Sequence, residues 1–211
     1  MTDATITAEK LLQAEAVMLS PSAPFTWASG WKSPIYCDNR KLLSLPFTRD
    51  YIKSELANTV FDKFADADVI AGVATAGIAW GAMVADQLKL PFIYVRPKPK
   101  EHGLGNQIEG SFEPNQKVVV VEDLVSTGKS SLQVVEVLRK ENLEVMGMVS
   151  IFNYQFGEGI HAFESANVNL FSLTEYPTLI NLAIEKGIVR AEEREVLLNW
   201  RSDPANWTGL S

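Results

Sequence analysis

Four consecutive valines, Val118–Val121, run straight into Glu122 and Asp123 and leave little choice of local structure. Valine is stiff at its first side-chain torsion and fits a pleated surface, and an unbroken β-branched run has no polar face to offer water. Such a run suits a strand buried on both faces, the habit of parallel sheets. Four further short apolar runs accompany it, at Asp68–Ala74, Phe92–Val95, Val145–Phe152 and Val168–Leu173. Helical patterns fall between and after them, over residues 76–89, 129–141, 175–186 and 191–200. This alternation predicts an α/β domain, a parallel sheet flanked by helices. Such sheets bind ligands at the carboxyl ends of their strands, so the loops after the runs are where chemistry is expected.

The first part of the chain is less regular. An amphipathic helix is predicted from Thr7 to Leu19, with Leu11, Ala14 and Met18 on one stripe. A second is predicted after Thr48 as N-cap, with Phe47 and Ile52 at the staple positions and Ile52, Leu56 and Val60 continuing the apolar face. At 211 residues one domain is expected, large enough to bury a core without staples. A formal net charge of −7 disfavours non-specific nucleic-acid binding. No run of 18 apolar residues occurs, so a transmembrane helix is not expected. Asp3 and Glu9 stand where a signal peptide wants basic residues, which makes the cytoplasm the simplest compartment. The single cysteine, Cys37, excludes an internal disulfide and a cysteine-based metal cluster.

After the valines the chain reads EDLVSTGKSS, residues 122–131. A turn over Ser126–Ser130 would set backbone N–H groups at a helix N-terminus, where free donors and the positive dipole end favour a phosphate. The hydroxyls of Ser126, Thr127 and Ser130 can add hydrogen bonds, and Gly128 allows close approach to a ligand. GKSS looks like the end of a Walker A loop, but that loop needs glycine where Asp123 stands. Adjacent carboxylates beside a phosphate cradle need another task, and acceptor-only groups suit the hydroxyls of a sugar. The bland alternative is a solvated acidic strand end beside a helix start. Residues 96–110, RPKPKEHGLGNQIEG, place Arg96, Lys98, Lys100 and His102 at alternate positions. Pro97 and Pro99 disfavour helix there, and Gly103, Gly105 and Gly110 supply hinges. The segment suits a loop that closes over a polyanion, against the alternative of a solvated basic loop. In an acidic chain, positive charge concentrated beside the ligand edge favours the first.

Taken with its surroundings, VVVVEDLVSTGKSS resembles the phosphoribosyl-pyrophosphate signature of the type I phosphoribosyltransferases. RPKPKEHGLGNQIEG resembles the flexible catalytic loop of the orotate phosphoribosyltransferases within that group. PFTWASGWKSPIYCDNR, residues 24–40, is similar to their base-binding segment through Phe25, Ser29-Gly30, Ser33-Pro34, Tyr36, Asp38 and Arg40. AGVATAGIAWG, residues 71–81, is similar to their Gly-rich loop that approaches the pyrophosphate. The resemblance implies a type I phosphoribosyltransferase-like fold in one domain, 1–211, with a small N-terminal hood mainly from 1–45 and a core over 48–175. It implies transfer of the phosphoribosyl group to orotate, giving orotidine 5′-monophosphate on the route to UMP, with Mg²⁺ held mainly through the donor and no direct protein ligands. The phosphoribosyl-pyrophosphate site it implies comprises Arg96, Lys100, His102, Glu122, Asp123, Leu124, Val125, Ser126, Thr127, Gly128, Lys129 and Ser130. Lys100, His102 and Asp123 would carry the catalysis, and Ser126 and Tyr36 would meet the orotate. It further implies a homodimer whose loop 96–110 acts in trans, and no nucleic-acid or membrane partner.

Some positions depart from the family pattern. Ala28 and Ala76 stand where many members have lysine, and Pro97 where many have a second basic residue. Asn153-Tyr154 stands where others carry an Asp-Arg pair that helps hold the orotate, and Lys129 where many have a small residue. Lys32, Lys98 and Lys100 are candidates to compensate. His161 reads as a surface or packing residue, Cys37 as a small buried hydrophobe, and the tryptophans as packing. Trp27 and Trp31 are the exceptions, lying inside the base-binding segment. Two rivals stay open: a phosphoribosyltransferase for another base, and a non-enzymatic regulator that binds the donor. The intact KEHG at 100–103 argues against the second.

Overall fold

The computed structural model describes residues 3–27, 29–99 and 106–209. Helix α1 spans Ala4–Gln13 and is capped by Asp3, whose Oδ1 accepts from the Thr5 N–H at 2.9 Å. It stops well short of Leu19 because Glu15 takes a φ of 49°, and the chain then enters strand β1, Val17–Leu19. The expected Leu11-Ala14-Met18 stripe is thus divided between a helix and a strand. Strands β2 (Phe25–Thr26) and β3 (Lys32–Ser33) pair antiparallel, and β4 (Ile35–Cys37) pairs antiparallel with β1. A 3-10 turn over Asn39–Ser44 leads into α2, Pro46–Lys63. That helix starts at Pro46 rather than after Thr48, since proline's fixed φ suits a first turn that needs no N–H. Phe47 is 93% exposed, so no staple forms, while Ile52, Leu56 and Val60 are buried as read.

The remainder alternates between strand and helix: β5 (Val69–Val73), α3 (Ala76–Leu88), β6 (Phe92–Val95), β7 (Ile108–Glu109), β8 (Lys117–Val125), α4 (Lys129–Lys140) and β9 (Glu144–Asn153). It ends with α5 (Gly157–Ser165), β10 (Leu170–Glu175), α6 (Tyr176–Glu185) and α7 (Arg194–Ser202). Strands β5 to β10 form a sheet in the order β10-β9-β8-β5-β6-β7, parallel except for the antiparallel β7. The four consecutive valines of β8 are fully buried and divide by parity. Val119 and Val121 join the apolar layer of α2, α3 and α6, and Val118 and Val120 join that of α4 and α5. Each such burial contributes about 1.5–3 kcal/mol, so this strand anchors both layers. Among the described residues no helix is long and apolar enough to cross a membrane.

Candidate active site

Strand β8 runs further than its valines. Its ladder with β9 continues through Glu122 and Leu124 to Val125, so both acidic residues belong to the strand. Neighbouring strand residues point to opposite faces. Glu122 turns toward α4, where its Oε2 accepts from the Ser131 hydroxyl at 3.1 Å and its Oε1 accepts from the Asp123 N–H at 3.0 Å. Glu122 is only 5% exposed, which removes the solvated-acid alternative for it. Burial, and then the Asp123 charge, hold its carboxyl well above the usual range, and burial raises Asp123 as well. The main chain at Asp123 is fixed from the N-terminal region: its carbonyl accepts from the Nδ2 of fully buried Asn39 at 2.7 Å.

The turn Ser126-Thr127-Gly128 links β8 to α4. Gly128 has a φ of 77°, and a Cβ there would meet the Phe163 ring at 2.7 Å. Helix α5 also presses on this turn, since a Cβ on Gly159 would meet the Ser126 carbonyl at 2.6 Å. Gly128 is therefore demanded by backbone sign and by α5, beyond any close approach of a ligand. No side chain among the described residues caps α4, which leaves first-turn N–H groups at an anion-favouring helix end. The peptide Ala74–Thr75, before α3, is cis. A Cβ on Gly77 would meet the Val121 carbonyl at 2.6 Å, so the start of α3 lies directly on β8.

Arg96 follows β6 and is held at the base of its loop. Its N–H donates to the Gln107 carbonyl at 2.9 Å, the Gln107 Nε2 donates to the Arg96 carbonyl at 2.7 Å, and its guanidinium pairs with Glu109 at 3.6 Å. Lys100 and His102 lie outside the described residues, as does Ala28. His161 sits on α5 with an exposed side chain, paired with Glu164 at 3.4 Å.

A pocket of about 400 Å³ opens beside the end of β8, lined by Thr26, Trp27, Tyr36, Cys37, Leu124, Ser126 and Tyr154. Tyr36 and Ser126, expected to meet the base, are brought together here from segments ninety residues apart. Trp27 lines it too, whereas Trp31 stacks behind it with ring centroids 6.3 Å apart. The Cys37 thiol donates to the Asn39 Oδ1 at 3.5 Å, and burial pushes it well above its ordinary range. Thr26 falls within the base-binding segment without being singled out there, Leu124 is expected only in the phosphoribosyl-pyrophosphate site, and Tyr154 is marked only as a departure from the family pattern.

The phosphoribosyl transferase domain model matches residues 49–160, which hold the sheet centre and the phosphate turn. The orotate phosphoribosyltransferase of Phocaeicola vulgatus is 54% identical over 200 residues, covering 95% of this chain and 94% of that one. The chain belongs to the orotate phosphoribosyltransferases. The Cutibacterium acnes member of this family is 51% identical over 201 residues, covering 95% of this chain and 93% of its own. Among solved structures, the orotate phosphoribosyltransferase of Aeropyrum pernix superposes with a TM-score of 0.75 at 31% identity, over 86% of this chain and 98% of that one. The span matched by the domain model omits residues 26–37, which build half the base pocket, but the relatives cover 95% of the chain.

Proposed function

We infer that the protein transfers the phosphoribosyl group of phosphoribosyl pyrophosphate to a ring nitrogen of orotate, releasing pyrophosphate and giving orotidine 5′-monophosphate on the route to UMP. One observation carries this reading beyond the family: Leu124 and Ser126 line the base pocket, and the next two residues lead into the uncapped start of α4. A single strand end thus offers adjoining places for a base and for a sugar phosphate. Glu122 and Asp123 accept from the ribose hydroxyls, and the turn Ser126–Ser130 holds the 5′-phosphate through its N–H groups and hydroxyls. Arg96, Lys100 and His102 stabilise the leaving pyrophosphate. The transition state has oxocarbenium character, so the protein acts by positioning, charge stabilisation and exclusion of water. The donor set suits Mg²⁺ that arrives with the substrate, since Glu122 is buried and its two carboxylate oxygens already accept from the Ser131 hydroxyl and the Asp123 N–H. Bound in that way, the ion would offset charge on the pyrophosphate. The active species is proposed to be a cytoplasmic homodimer. Loss of orotate absorbance on adding the donor with Mg²⁺, and none when either is omitted, is the expected result. Turnover of hypoxanthine or uracil with none of orotate would overturn the assignment.

A further inference from the structure

Helix α7 comes last in the fold, yet it is tied to three distant parts of the chain. The Tyr176 hydroxyl, at the start of α6, donates to the Leu197 carbonyl at 2.9 Å. Arg201 Nη1 donates to the Gln155 carbonyl just after β9 at 3.1 Å. Trp200 Nε1 donates to the Lys32 carbonyl of β3 at 3.1 Å, a bond that crosses from the C-terminal helix to the N-terminal hairpin β2-β3. Trp200 is fully buried and is not among the residues lining the base pocket. Its indole instead meets, edge to face, two residues that do line it: Trp27 at 5.7 Å and Tyr154 at 5.8 Å between ring centroids. Phe156 and Tyr176 close around it at 5.4 and 5.5 Å. Trp27 is held from other sides too, its Nε1 donating to the Ile35 carbonyl at 3.1 Å. One side chain thus backs two pocket walls, one from the hood and one from the end of β9.

We propose that Trp200 is a positioning residue for the base. Its bond to the Lys32 carbonyl and its edges on Trp27 and Tyr154 hold the hairpin against the sheet and set the width of the pocket. The proposal rests on the reading of the function given above. A pocket whose walls are ordered beforehand does not spend binding energy on ordering them. Edge-to-face pairs favour a defined ring geometry, so Trp200 fixes how the walls stand as well as filling space. Its hydrogen bond and ring contacts, among the described residues, include no residue of β8 or of the phosphate turn. The effect of disturbing it therefore falls on the base and not on the donor.

The test is Trp200→Phe, which keeps an aromatic ring and removes the Nε1 donor, assayed well below its thermal midpoint beside Val60→Ala. Val60 is buried on α2, which gives no residue to the base pocket, so its variant reports what lost core packing does by itself. Trp200→Phe should raise the KM for orotate about five- to tenfold, the scale of a lost hydrogen bond and ring contact. The KM for phosphoribosyl pyrophosphate and kcat should not change, since what is lost is binding of the base alone. Val60→Ala should lower the thermal midpoint and leave both KM values as they are. An unchanged orotate KM in Trp200→Phe, equal rises for both substrates, or the same orotate rise in Val60→Ala would overturn the proposal. Should Trp200→Phe not fold, benzothienylalanine placed at position 200 keeps the bicyclic shape and replaces only the ring N–H with sulfur. A rise in KM confined to orotate then supports the proposal, and an unchanged orotate KM or equal rises for both substrates overturn it. Wild-type turnover of orotate in the same assay separates the two readings. If it is present, only the role of Trp200 is at stake; if it is absent, both fall.

Discussion

Glu122 is a carboxylic acid held where a charge is unwelcome. Burial and the Asp123 charge raise its pKa in the folded protein above the ordinary 4.5. A carboxyl raised in this way binds its proton more tightly folded than unfolded. Its stabilising contribution is therefore complete below the unfolded value and is lost as pH rises through the folded one. Above 4.5 the unfolded chain gives up this proton more readily than the folded one, so Glu122 costs stability that grows with pH. Glu122→Gln should accordingly raise the thermal midpoint at pH 8, with the advantage shrinking as pH falls toward 4.5. Its kcat/KM should fall, because an amide is a poorer acceptor for ribose hydroxyls. Matching midpoints across that pH range would mean that Glu122 carries no such cost. The acidic pair was legible in the sequence, but its asymmetry was not. That the Glu122 carboxylate turns to Ser131, while Asn39 holds the main-chain carbonyl of Asp123, follows from strand parity and the distant packing of α4 and the N-terminal region.

At the scale of elements, the start of α4 is the most constrained junction. Gly128→Ala would impose a positive φ on a residue with a Cβ and drive that carbon toward the Phe163 ring. The strain alone costs about 1–3 kcal/mol. A lower denaturant midpoint and a higher KM for phosphoribosyl pyrophosphate are expected together. A variant unchanged in both would show that the turn can relax freely. Much of this layer was readable from periodicity: the β-branched runs gave the buried strands, and the stripes beginning at Ala76 and Lys129 gave α3 and α4. Where the reading failed, local signals were missing or tertiary packing prevailed. Neither glycine nor proline marks the reversal at Glu15 that ends α1. Helix α5 carries Gly157 and Gly159, which lower its intrinsic propensity, yet the second of these is what lets it lie on the phosphate turn. The two-residue β7 is too short to leave a pattern. The base pocket joins residues 26–37 to Tyr154, a closure that no local window contains.

For the whole molecule, the proposal of a dimer with a crossing loop is open to a mixing experiment. Lys100→Ala and Asp123→Asn chains, each assumed nearly inactive, are unfolded and refolded together. If the loop acts in trans, a mixed dimer has one site with both residues intact and one with neither. Random pairing makes half the dimers mixed, so roughly a quarter of wild-type activity should return. No recovery, with mixed dimers shown to have formed, would refute the trans arrangement and leave the chemistry standing. The bonds between Arg96 and Gln107 add a physical ruler to that question. They fix both feet of the loop, and a trans chain advances at most about 3.6 Å per residue. Lys100 is four residues from Arg96, so its Cα stays within about 14 Å of that foot. His102 is five residues from Gln107 and stays within about 18 Å of the other. The loop is a short tether, and catalysis across subunits requires the other subunit's pyrophosphate position to stand within that radius plus the reach of the two side chains.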